Sequence, residues 1–170
     1  MRKILLPFIV ICLVITLVNC SSKNDQEYYD SALKNLEEEN FADALMDFEN
    51  LISDFPESKF APASMYEIGR LYHGRALKNL NSEESLRKGV DFYKKVFDTY
   101  PDSKEAPNSL FMAAFILANE LNDLTTAKGF YEIFVDKYPD SELYDDAKSE
   151  LDNLGKSPEE ILNSKKNEEE

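Results

Sequence analysis

The stretch Lys137–Ala147, KYPDSELYDDA, is nearly a third writing of one phrase. DFPESKFAPAS occupies Asp54–Ser64 and TYPDSKEAPNS occupies Thr99–Ser109. Aligned on Pro56, Pro101 and Pro139, the copies agree well beyond the proline. One residue before it stands an aromatic (Phe55, Tyr100, Tyr138), and eight before stands another (Phe48, Tyr93, Tyr131). Twelve before stands a small residue (Ala44, Gly89, Ala127), and apolar pairs lie five and four before: Leu51/Ile52, Val96/Phe97 and Phe134/Val135. These offsets fall on one face of an α-helix. The small residue marks where a second helix can approach, and the proline ends each helix by pushing the preceding residue out of the α region.

The text after each proline also repeats. Ser58, Ser103 and Ser141 are suited to satisfy backbone N–H groups at the start of a following helix, and Pro62 and Pro107 fall near that start, where a missing N–H costs little. New apolar faces then begin, Met65, Tyr66, Gly69 and Tyr72 in one copy and Leu110, Phe111, Ala114 and Leu117 in the next. The phrase is therefore a joint: stop a helix, turn, start another. We expect helices over 25–38, 41–54, 60–79, 82–99, 104–120 and 123–137, and a closing helix over 141–153. NSEE from Asn81 fits a capping box with Glu84. Either a longer first helix or a longer loop accommodates ALKNLNSEES in the second copy. Gly155 reads as a helix stop, Ser157 and Pro158 as the cap and first residue of a short turn, and the charged end as a disordered tail.

The prolines lie 45 and 38 residues apart. In period, and in the small and aromatic positions, the chain resembles the tetratricopeptide-repeat family over about Gln26–Leu154. That resemblance implies an all-α, right-handed helix–turn–helix solenoid of about three repeats plus a closing helix, occupying 26–154, with 155–170 as tail. It also implies a concave surface built from the first helix of each repeat. Candidate partner-binding residues there are Arg70, His73, Asn108, Phe115 and Asn119.

The N-terminus is of another kind. Met1-Arg2-Lys3 precedes an apolar run from Ile4 to Val18, which is short for a bilayer span of about 20 residues. LVNC then ends at Cys20, and the sequence turns polar at once. This resembles the lipobox of bacterial lipoproteins, apart from Asn19 before the cysteine. The resemblance implies a signal peptide over 1–19, lipidation of Cys20 and a linker over 20–25; the alternative is an uncleaved anchor, and both tether the same domain outside the cytoplasm. Cys12 lies in the leader and would leave with it, so the mature domain has no thiol for a disulfide.

Composition narrows the function. The formal net charge is −14, and losing Arg2 and Lys3 with the leader takes it to −16. Such a chain lacks the basic surface that nucleic acid requires. His73 is the single histidine, and on the second copy's first helix it reads as a surface or groove residue, not a base. No metal-ligand, nucleophile-elbow or phosphate-loop motif occurs, so no catalytic residue, metal, cofactor or small-molecule substrate is expected. The acidic runs read as solvated helix faces. The 9 Tyr and 11 Phe fall mostly at repeat positions.

Lipobox and aromatic-Pro-acid-Ser repeats together resemble BamD-type lipoproteins of the outer-membrane β-barrel assembly machinery. They also resemble the repeat domain of CpoB-type division coordinators, which work with Tol–Pal. The first resemblance implies a non-catalytic scaffold on the periplasmic face of the outer membrane with protein partners in the envelope, although that family carries about five repeats. The second implies an accessory protein bound to peptidoglycan-associated partners, although that family has a coiled coil and no lipobox. Ser21, in place of an aspartate after the cysteine, favours the outer membrane by the same analogy.

Overall fold

The computed structural model describes residues 23–78 and 80–168, with side chains through residue 163. The leader and Cys20 lie outside the described residues. Eight α-helices and no strand occur among those described: α1 (Asp25–Glu37), α2 (Phe41–Asp54), α3 (Ala61–His73), α4 (Ser82–Thr99), α5 (Glu105–Asn119), α6 (Leu124–Lys137), α7 (Tyr144–Asn153) and α8 (Pro158–Glu168). From α1 to α7 each helix packs on the next, and α3 also touches α5. This is the serial stack of helix pairs that the repeats predict.

The three joints share one backbone geometry. Phe55, Tyr100 and Tyr138 close their helices at φ/ψ of −133/60, −129/56 and −123/54. Their N–H groups donate to Leu51, Val96 and Phe134 carbonyls at 2.8–2.9 Å. The N–H groups of Ser58, Ser103 and Ser141 donate to the aromatic carbonyls at 2.9–3.1 Å, and those of Ala61, Ala106 and Tyr144 donate to the serine carbonyls at 3.0–3.2 Å. The serine hydroxyls are less uniform. Ser58 and Ser141 accept the N–H two residues on, at Phe60 and Leu143 (3.1 and 3.2 Å). The Ser103 hydroxyl is buried and unpaired. The expected helix capping is thus replaced by a local turn within the joint.

The residue before the proline also ties neighbouring joints together. Tyr100 donates its hydroxyl to the Pro56 carbonyl (2.9 Å), and Tyr138 donates to the Pro101 carbonyl (3.0 Å). Among the described residues no joint precedes that of the first copy, which carries Phe55, without a hydroxyl. Tyr138→Phe should therefore cost about 0.5–1.5 kcal/mol, the usual net worth of one hydrogen bond. Urea unfolding would measure this, and an unchanged midpoint would mean the bond adds nothing.

The helix faces pack as the offsets require. Ala44, Phe48, Leu51, Val96, Ala127, Tyr131 and Phe134 are fully buried, and Tyr93 nearly so. Gly69 and Gly89 let α3 and α4 come together: a Cβ on Gly69 would stand 2.8 Å from the Tyr93 ring, and one on Gly89 would stand 3.2 Å from the His73 backbone nitrogen. Eight residues after each proline lie Ser64, Ser109 and Ala147, all fully buried. The two hydroxyls there are unpaired, so small size is what this position demands.

Four boundaries differ from expectation, the first being the closing helix, which begins at Tyr144 and not at 141 because Ser141 is used in the joint. The helix expected over 60–79 stops at His73, because Gly74 ends it and Arg75 turns to φ 52. The added length of the second copy is a loop. Lys23 and Asn24, expected in a linker, already belong to the domain: Asn24 forms a full capping box with Glu27, and Lys23 pairs with Asp47. The end of the chain continues as α8, opened by a capping box in which Ser157 and Glu160 bond reciprocally (2.7 and 3.3 Å), where the sequence suggests a turn and a disordered tail.

Helix α7 occupies the place of α3 and α5 relative to its proline. It keeps the inward residues Ala147, Leu151 and Leu154, which rest on the core. On the side where α3 and α5 carry Met65/Leu110 and Gly69/Ala114, it carries exposed Lys148 and Asp152. A fourth repeat is thus begun and then sealed with polar side chains.

Candidate functional site

The first helices of the repeats line up, and their side chains form a cleft of about 320 Å³. Tyr29 comes from α1, Tyr66 and Glu67 from α3, and Lys104, Glu105 and Asn108 from the start of α5. The rings are set by neighbours: Tyr29 stacks on Phe60 at 4.7 Å, and Tyr66 tilts against Tyr93 at 5.4 Å. Burial raises both tyrosine hydroxyls above their ordinary pKa; the Glu67 and Glu105 carboxylates push the same way, and at Tyr66 the Arg70 charge opposes them. Glu67 accepts two hydrogen bonds from Arg70 Nη1, each 3.0 Å, and its charge raises the Arg70 guanidinium pKa.

The residues expected to share one binding surface divide between two places. Asn108 lines this cleft, and Arg70 reaches it through Glu67. His73 belongs to a second cluster at the far ends of α3 and α5. There His73 Nε2 lies 2.6 Å from Glu120 Oε1, and Arg75 Nη2 donates to Glu120 Oε2 at 2.6 Å. Arg75 Nε donates to Ser82 Oγ at 2.6 Å. Partial burial works to raise the Glu120 carboxyl pKa, but the hydrogen bonds from His73 and Arg75 outweigh it and hold it low. Asn119 adjoins this cluster and donates to the Phe115 carbonyl at 3.2 Å. Phe115 stacks on Phe111 at 6.4 Å. His73 is therefore engaged as a clasp between the second and third repeats.

Two further features were not anticipated. An open cavity of about 540 Å³ lies where the α1–α2 turn meets the 74–81 loop, with Phe41, Leu45, Tyr72, Leu77 and Leu80 among its walls. Asp47 is buried between α1 and α2. It accepts from Lys23 Nζ (2.7 Å), Ser31 Oγ (2.6 Å) and Asn35 Nδ2 (3.1 Å). The signal for Asp47 was in the repeats: nine residues before the proline the other copies carry Phe92 and Phe130, so a lone aspartate required polar partners. Among the described residues, no group of three or more His, Cys, Asp or Glu side chains could hold a metal ion.

A stack of helix pairs with joints of one backbone geometry, an open cleft along its first helices and a polar outer side on α7 defines a tetratricopeptide-like repeat protein. The chain belongs to the YfiO family, described as outer membrane lipoprotein, which matches residues 21–157. Among curated proteins, none matches the chain. Among the described residues no helix is long and apolar enough to cross a membrane.

Proposed function

We propose that this protein is a non-catalytic scaffold of the BamD kind, anchored by lipid on Cys20 to the periplasmic face of the outer membrane. It works in envelope or outer-membrane protein assembly. In this reading residues 1–19 are the leader, the repeat domain runs to Leu154, and 155–170 follows it. The observation that carries the proposal is the family match, which begins at the residue after Cys20. The open face of α1, α3 and α5 supports protein partners, because a stack of repeats leaves that surface free while its core lies between neighbours. Anionic headgroups would repel the negatively charged domain, so attachment to the membrane comes from the lipid.

Cys20→Ala should abolish incorporation of labelled acyl chains and release the domain from membranes. Continued labelling of the variant would sink the lipoprotein reading. Crosslinking of the wild-type protein in intact envelopes should recover subunits of barrel assembly. Recovery of peptidoglycan enzymes alone would favour the division-coordinator reading instead.

A further inference from the structure

We propose that the cleft between α1, α3 and α5 receives a lysine or arginine side chain from a basic segment of the protein partner, held by Glu105 against the rings of Tyr29 and Tyr66. This deepens, and rests on, the scaffold reading above. The argument begins with an imbalance between two carboxylates. The Glu67 side chain is 19% exposed and takes two 3.0 Å hydrogen bonds from Arg70. The Glu105 side chain is more sheltered, 12% exposed, yet its ion-pair partner is Lys104 at 3.6 Å, a side chain 89% exposed to water. That distance is too long for a hydrogen bond, and so exposed a lysine compensates little. A sheltered charge without a close partner is costly, so a cation brought from outside gains what the chain itself leaves unmade.

The surroundings select a cation. Glu105 opens α5, and the N-terminal end of a helix favours negative charge there. Both tyrosines lie within the field of both carboxylates, and Tyr66 also lies within that of Arg70, whose charge is paired with Glu67. An aromatic face attracts lysine and guanidinium groups, and the chain uses that contact itself, with Lys59 4.7 Å from the Phe60 ring and Lys137 4.9 Å from the Phe97 ring. An anion would meet Glu67 and Glu105 at the same walls, where Lys104 is turned largely to water and Arg70 is already committed to Glu67. The asparagine at 108 adds a neutral polar edge, and the negative charge of the whole domain steers a basic segment toward it.

The test uses the full-length lipoprotein in detergent and a fluorescein-labelled octapeptide of alternating glycine and arginine. The same peptide with citrulline in place of arginine is the uncharged control. Fluorescence anisotropy should show binding of the arginine peptide and none of the citrulline peptide. Glu105→Gln should weaken binding about tenfold, the scale of one charge-assisted hydrogen bond. Tyr66→Leu should weaken it several-fold while keeping an apolar side chain against Tyr93. Asp145→Asn removes the same charge from the exposed side of α7 and should leave binding within about twofold if the site, not the net charge, is what holds the peptide. Equal binding of the citrulline peptide, or equal losses in Glu105→Gln and Asp145→Asn, would overturn the proposal. Because the peptide is defined and the protein is in detergent, neither result depends on anchoring. Such a failure, with Cys20 still acylated, strikes this inference and leaves the scaffold reading intact.

Discussion

Tyr131→Ala should destabilise the domain by about 3–5 kcal/mol, the range for removing a fully enclosed aromatic ring. Tyr131 is 0% exposed, and its ring meets Phe111 edge-on at 5.9 Å. It lies where the other copies have Phe48 and Tyr93, at the seam between the two helices of a repeat. Its hydroxyl is buried and has no hydrogen-bond partner, and burial raises its pKa strongly. Tyr131→Phe should therefore be neutral or mildly stabilising, since it removes an unpaired polar group without leaving a hole. Denaturant unfolding of both variants measures the contrast. If the phenylalanine variant fell as far as the alanine one, the hydroxyl would be making a bond that this packing lacks.

Ending the chain after Pro139 should cost on the order of 3–4 kcal/mol, from the burial lost at Leu143, Ala147, Leu151 and Leu154. For a domain of this size that corresponds to a melting temperature lower by roughly 10 °C. The loss should come with aggregation, because α6 and α7 are direct neighbours and the truncation opens the core around Tyr131 and Phe134. A stack of repeats is weakest at its ends, and Lys148 and Asp152 give α7 a polar outer side. A melting temperature unchanged by the truncation would show that α6 already closes the stack.

The repeat was legible because its constraints are local and written three times. A proline, an aromatic one residue before it and a buried ring eight before it each have one structural consequence, and the agreement of the copies removes the ambiguity of any single one. What was not legible depends on residues that do not repeat. Helix α3 stops at His73 through the left-handed Arg75, a conformation that few non-glycine residues announce. The repeat pattern marks the face of α1, α3 and α5 as the open one, but it gives no sign that Asn108 and His73 belong to different parts of it. They sit at opposite ends of their helices, and only the pairing of Glu120 with His73 and Arg75 reveals the division. Glu105 went unnoticed among 33 acidic residues, because its distinction is shelter, which depends on α1 and α3 arriving beside it.

The buried Asp47 fixes more than the contact of two helices. It grips Lys23, three residues from Cys20. With Cys20 acylated as proposed, the leash between lipid and domain is three peptide units, roughly 11 Å when drawn straight, about the width of one helix. A body held so closely has almost no search volume of its own. It cannot reach far from the surface for a partner, although it still turns about its tether. Part of the translational freedom that association normally removes is then already gone before any partner arrives, so a partner confined to the same surface meets a receptor held within its reach.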